Sequence, residues 1–236
     1  MKDIVIHWMR RDMRLHDNRT LLAALDSGLP VLVAFIFDKE ILGRLDNARD
    51  RRVTFIHREA LKLKAELQEA GGDLLMNHGN PTTVWANWIK QLSENGLNVR
   101  EVYVGRDYEP YAQERDRKLS NWFDQQGIAF KGTKDSVVFE KNEVTKDDGK
   151  PYTVFTPYSK KWRKALQPSD YAPANSAERL SQQSLVGMDE LVFQEVPTLE
   201  EMGFENVWKE GALVPPTIVE DQLLKSYGDQ RDFPSV

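Results

Sequence analysis

The sequence predicts an α/β protein, a doubly wound five-stranded parallel sheet of Rossmann-like kind that is followed by a long C-terminal connector. Three observations predict it. Five short β-type runs alternate with helical patterns over the first 131 residues, and such alternation means parallel strands joined by crossover helices. The helical patterns place apolar residues on one face. No internal repeat of fixed period and no low-complexity tract is present, which removes solenoids and propellers.

The strand-like runs are Ile4 to Trp8, Pro30 to Phe37, Asp73 to Asn77, Glu101 to Gly105 and Gly127 to Lys131. After the first, the loop Trp8-Met9-Arg10-Arg11-Asp12-Met13-Arg14-Leu15-His16-Asp17-Asn18 carries three Arg and two Asp. It lacks the glycines of a dinucleotide fingerprint. Asp17 is expected to cap the helix that carries Leu21, Leu22 and Leu25. The helix before the third strand shows Ile56, Ala60, Leu63 and Leu67 in register, and the next shows Val84, Trp88 and Leu92, so each stripe should lie on the sheet. Asn80 followed by Pro81 reads as an N-cap and first turn, while Gly71, Gly72 and Gly96 close the helices before them.

From Ser136 the rhythm is lost. A hairpin is expected around Thr145 to Gly149 and a short amphipathic helix around Tyr158 to Leu166. The organisation read is an α/β domain over 1–132, a hairpin and helix completing it over 133–166, and a connector over 167–236. The Pro-, Ser- and Glu-rich stretch from Gln167 to Pro216 has the composition of a segment that crosses another surface. Its apolar residues Leu185, Val186, Leu191, Val192 and Phe193 are expected to self-associate or to be poorly ordered.

Composition narrows the functional classes. Lys and Arg number 32 against 37 Asp and Glu, a formal charge of -5. A phosphate-gripping protein needs a cationic surplus, so this chain alone should bind DNA weakly. Cys is absent and the four His are scattered, so a metal site is not expected. No apolar run reaches membrane-spanning length and no secretory leader opens the chain, which together with the lack of Cys points to the cytoplasm. Trp85, Trp88, Trp122 and Trp162 are expected to pack in the core. Lys160, Lys161, Arg163 and Lys164 are expected to edge an interdomain surface.

The order of the motifs carries a resemblance. The Trp8 to Asn18 loop is similar to W-F-R-R-D-L-R-L-x-D-N, with Met9 and Met13 departing from it. Phe35-Ile36-Phe37-Asp38 with Ile41-Leu42, and Arg51-Arg52 with Phe55, follow in order. Asp107-Tyr108-Glu109-Pro110-Tyr111 with Arg115-Asp116 comes next, then Gly149 to Tyr158 with Trp162, and finally Tyr227 to Pro234. In these residues the chain resembles the N-terminal α/β domain of the DNA photolyase and cryptochrome family.

The resemblance implies a parent enzyme, a carbon-carbon lyase, in which light-excited reduced FAD gives an electron to a UV-induced pyrimidine dimer and splits it. The FAD and the flipped-out DNA lesion would belong to a C-terminal helical domain, and the chain is expected to stop just before it and to be inactive alone. The α/β domain would carry an antenna chromophore and support the FAD domain. Arg10, Phe37, Asp38, Arg52, Asp107 and Glu109 are the candidate antenna-binding residues. Asp38, Asp107 and Glu109 match acidic positions lining the slot in deazaflavin-type relatives, and Arg52 matches a basic one. Three of these features also have a structural reading: Asp38 as a turn cap, Glu109 beside a helix start, and the Arg10, Arg11 and Arg14 cluster as ion-pair partners. A folate is disfavoured, because Tyr111-Ala112 stands where folate-binding members carry Asn-Glu, so a deazaflavin or flavin is expected. The alternative is a cryptochrome-like blue-light photoreceptor without repair activity.

Overall fold

Strand β1 (Lys2–Met9) occupies the middle of the sheet because it is apolar on both faces. Ile4, Ile6 and Trp8 are buried on one side, Val5 and Met9 on the other, as the two-residue period of a strand requires. In this computed structural model, which describes residues 1–207 together with Lys225 and Tyr227, the other strands are β2 (Val31–Asp38), β3 (Leu74–Gly79), β4 (Leu97–Gly105) and β5 (Ala129–Thr133). Their order is β3-β2-β1-β4-β5 and every neighbouring pair is parallel. This is the doubly wound five-stranded parallel sheet expected from the alternation of elements.

Helices α1 (Arg19–Leu25) and α3 (Arg51–Glu69) cover one face, packing Leu21, Ala24, Leu25, Val53, Ala60, Leu63 and Leu67 against Val31, Val33, Phe35 and Phe37. Helices α4 (Pro81–Glu94) and α5 (Pro110–Gln125) cover the other with Trp85, Trp88, Leu92, Leu119 and Phe123. Each such side chain contributes about 2 kcal/mol before the entropy of ordering is set against it. Asn80 caps α4 by accepting from the Thr82 N–H, with Pro81 in the first turn. Gly71 and Gly96, at φ 83° and 79°, terminate α3 and α4 in the left-handed region.

Several elements differ from the expectations. Asn18, not Asp17, caps α1: its side chain accepts from the Leu21 N–H at 2.8 Å, while Asp17, at φ 48°, accepts instead from the Ala174 N–H at 2.8 Å. Strand β4 begins four residues earlier than Glu101, because Leu97 and Val99 are buried between less buried Asn98 and Arg100 and so extend it as a half-buried alternation. Strand β5 starts at Ala129, since Gly127 at φ 71° closes α5. Between Thr145 and Gly149 there is a tight turn without paired strands, closed by the Lys146 N–H to the Lys150 carbonyl at 2.9 Å. The amphipathic helix, α6, spans Phe155–Ala165 and buries none of its residues. Trp162 on it is half-buried against Phe139 at 5.6 Å rather than in the core.

The stretch after α6 returns to the sheet. Helices α7 (Pro168–Tyr171) and α8 (Ser176–Leu180) lead to a parallel bridge between Leu185 and Val31. Val186 and Leu191 are fully buried in the α4/α5 core and Phe193 is partly buried beside them. Only Val192 of that apolar group is strongly exposed, so the expected disorder is not found there; the bridge hydrogen bonds at 3.0 and 3.1 Å pin the segment instead. The motif from Gly228 to Pro234 lies outside the described residues.

Candidate functional site

In a sheet of this order the succession of strands reverses between β1 and β4, and the crevice beyond the carboxyl ends of those strands is where ligands settle. A cleft of ≈ 320 Å³ opens there, within the size range of small-molecule pockets. Its apolar wall is Phe35, Phe37, Ile41, Leu42 and Ile56; its polar rim includes Asp38, Asp107, Glu109 and Arg44; Trp8 and Arg115 border it too. β2 supplies the phenylalanines, α2 (Lys39–Leu42) the aliphatic rim, and the turn before α5 the acidic pair.

The polar side is a connected network. Asp38 ends β2 and caps α2 by accepting from the Glu40 N–H at 3.0 Å. Its carboxylate also accepts from the Tyr111 hydroxyl at 2.9 and 2.8 Å and lies 3.5 Å from Arg115 Nη1. Burial raises the Tyr111 phenol, and the hydrogen bond to Asp38 raises it further, so Tyr111 remains a neutral donor. Arg115 Nε donates to Asp116 at 3.1 Å, and Arg10 Nη1 donates to the same carboxylate at 2.6 and 2.8 Å. Arg10 also donates to the Gly105 carbonyl, and burial lowers its guanidinium against the pull of Asp116. Arg11 Nη2 donates to Glu109 at 2.5 Å and its Nε sits 3.3 Å from Asp107.

Among the described residues, two buried N–H groups on side chains that line the cleft have no hydrogen-bond partner, Arg115 Nη2 and Trp8 Nε1. Arg115 Nη2 lies 3.1 Å from an Asp116 oxygen, close enough for charge attraction but poorly aligned for a hydrogen bond. Buried donors are rarely left so, and both atoms lie beneath the cleft surface.

Next to Arg10 and Arg11, Asp12 holds the β1–α1 loop. Its carboxylate lies 3.0 Å from His7 Nε2, accepts from the Arg10 N–H at 2.8 Å, and accepts from the Asn18 amide at 3.3 Å. Burial works against its ionisation, but the His7 contact and the backbone N–H bonds outweigh that and hold the carboxyl well below the usual range.

Of the residues singled out from sequence, Arg10, Phe37, Asp38, Asp107 and Glu109 all line the one cleft. Arg52 does not: it is 74% exposed and forks onto Asp50 at 2.6 Å across the first turn of α3. Tyr111, Arg115, Trp8 and Arg44 were not among the candidates. Tyr111 and Arg115 stand four apart at the start of α5, the spacing that puts two side chains on one helix face, and that signal was available. Trp8 reads as core from its strand, and Arg44 sits in a loop without periodicity. Among the described residues no group of three His, Cys, Asp or Glu side chains is gathered to hold a metal ion, and no helix is long and apolar enough to cross a membrane.

The family model for DNA photolyase matches residues 5–177. The chain belongs to the DNA photolyase family. Its α/β unit corresponds to the N-terminal domain of photolyases and cryptochromes. A deoxyribodipyrimidine photo-lyase of Synechococcus sp. is 30% identical over 98% of this chain and 48% of its own length. An uncharacterized 31.6 kDa protein of another Synechococcus strain is 31% identical over 97% of this chain and 79% of its own length. A bacterial class III photolyase from Agrobacterium tumefaciens superposes with a TM-score of 0.67 at 25% identity, covering 98% of this chain and 42% of that one. The chain therefore spans about half the length of the photo-lyases it matches.

Proposed function

We propose that the cleft holds a planar light-absorbing ring, an antenna chromophore of deazaflavin or flavin type, in a photolyase that repairs UV-induced pyrimidine dimers in DNA. In this reading the α/β domain passes excitation to an FAD held by a C-terminal helical domain, where the damaged DNA is also bound. The FAD, when bound, supplies the light-driven electron transfer that splits the dimer.

The observation that supports the reading most is an apolar cleft of ≈ 320 Å³ with an acidic rim at the strand-reversal crevice. Asp38, Asp107 and Glu109 would accept from ring N–H or ribityl hydroxyl groups. Phe35, Phe37, Ile41 and Leu42 would sandwich the ring and exclude water. Arg10 would act through Asp116, positioning Arg115, and Arg52 would reach the ligand only on leaving Asp50.

Absorption and fluorescence titration of the protein with a deazaflavin, a flavin and a folate tests this. Saturable binding of one of the first two is expected, weakened about tenfold in Asp107→Ala, the equivalent of about 1.4 kcal/mol. Absence of binding by all three sinks the reading. The 236-residue chain alone is expected to leave dimers intact in light, and dimer cleavage by it would overturn the assignment of FAD and DNA to another domain.

A further inference from the structure

We infer that Arg115, together with Arg10, keeps Trp8 hard to oxidise, so that a light-excited ring in the cleft is not quenched by electron transfer from the indole. The inference rests on the chromophore reading of the cleft and adds to it a requirement that the site must meet.

An excited isoalloxazine-like ring is a strong one-electron oxidant, and indole is among the most easily oxidised side chains. Trp8 borders the cleft, within reach of any ring that fills it. Transfer of one electron would leave the indole as a radical cation and the ring as a radical anion. Return of that electron restores both, so the net result is absorbed light lost without chemistry. A hole on Trp8 also has somewhere to go: Trp85 lies 5.6 Å away, with Trp88 at 5.3 Å and Phe123 at 5.0 Å from Trp85, and Trp122 at 5.1 Å from Phe123. A site for an antenna has to close this route at its first member.

The structure has the means. The Arg10 guanidinium lies 4.9 Å from the centre of the Trp8 ring and that of Arg115 lies 5.0 Å from it. Cations at this distance are attracted to a neutral π face and repel a positive hole in it, so they stabilise the reduced indole and destabilise the oxidised one. Both guanidiniums are buried, where screening by salt and water is weak. Both are also fixed, Arg10 by Asp116 and the Gly105 carbonyl, Arg115 by Asp38 and Asp116. The carboxylates grip guanidinium nitrogens; removing Arg115 therefore takes a cation from the ring and leaves Asp38 and Asp116 less neutralised, and both changes ease oxidation. Tyr111, the other oxidisable ring in the cleft, carries Arg44 at 5.1 Å and the same Arg115 at 5.7 Å.

The chain has no Cys, so Ile41→Cys, at a rim position 46% exposed, gives a single handle for a thiol-linked flavin. The tether holds the ring at the cleft whatever its free affinity. The excited-state lifetime of that flavin is then read in three further backgrounds. Trp8→Phe is expected to leave it unchanged, because Trp8 is already silenced; a several-fold lengthening would mean that Trp8 quenches freely and would overturn the inference. Arg115→Met is expected to shorten it several-fold, and Arg115→Met with Trp8→Phe to restore it. An unchanged lifetime in a folded Arg115→Met protein, or shortening that survives Trp8→Phe, also overturns it. Should Arg115→Met not fold, the Trp8→Phe comparison decides alone. Titration with untethered chromophore tests the cleft reading separately, so either result can fail without the other.

Discussion

At the residue scale, the most constrained side chain in the site loop is Asp12, which is buried and bonded to His7, the Arg10 backbone and Asn18. Asp12→Ala leaves these donors buried and unmet, and a loss of about 3 kcal/mol in urea unfolding is expected. The pH dependence follows from the direction of its shift. Its folded pKa lies below the ordinary 3.8, so the unfolded chain binds the proton first. The stabilisation from the carboxylate is therefore complete above about pH 4 and is lost as pH falls further. The gap in stability between the wild type and Asp12→Asn should shrink as pH falls below about 4, as read by denaturation at each pH. A gap that persists unchanged into the acid limb would mean that Asp12 acts by shape rather than by charge. The sequence showed that this loop was charged and important, but both Asp17 and Asn18 are competent caps. What chose Asn18 was the burial of its amide between the Asp12 and Arg14 carbonyls, at 3.0 and 3.1 Å, which no pattern of residue types reveals.

At the element scale, two helices with similar capping signatures should respond differently to loss of the cap. Asn80 is exposed and makes one capping bond at 3.0 Å to α4, so Asn80→Ala should cost about 1 kcal/mol. Asn18 is fully buried and combines its capping bond with donations to two carbonyls and with an N–H held by the Ser176 hydroxyl at 3.0 Å. Asn18→Ala should cost at least twice as much by urea denaturation; equal losses would show that the extra bonds contribute nothing. The strands were legible because β1 and β2 are continuous apolar runs, and the helices because Ala60, Leu63 and Leu67, or Val84, Trp88 and Leu92, recur on one face. The start of β4 was not, because Asn98 and Arg100 interrupt it at the sheet's less covered end. Acidic cleft residues were legible by motif; Tyr111 and Arg115 were overlooked because their roles depend on where α5 docks, which brings Tyr111 to Asp38 from 73 residues away.

At the scale of the whole molecule, the segment after α6 behaves as part of the domain core. Val186→Asp places a carboxylate in the α4/α5 core and should cost about 3 kcal/mol or more. Val192→Asp, at a position 78% exposed, should stay within about 0.5 kcal/mol; comparable losses at the two sites would contradict the packing of the segment on the sheet. The apolar character of Leu185, Val186 and Leu191 was visible in the sequence, but their destination was not, since a lone apolar cluster without a period is compatible with a solvated linker and with a core plug alike. The parallel bridge between Val31 and Leu185 has a consequence for synthesis. Contacts between residues so far apart in the chain form late, and domains begin to fold as they leave the ribosome. A nascent chain that has released β1 to β5 holds every strand of the sheet before Val186 and Leu191 have emerged. Until they emerge, the apolar surface they cover stays open to chaperones and to other nascent chains, so the seam at Val31 marks the moment at which this α/β unit becomes safe from aggregation.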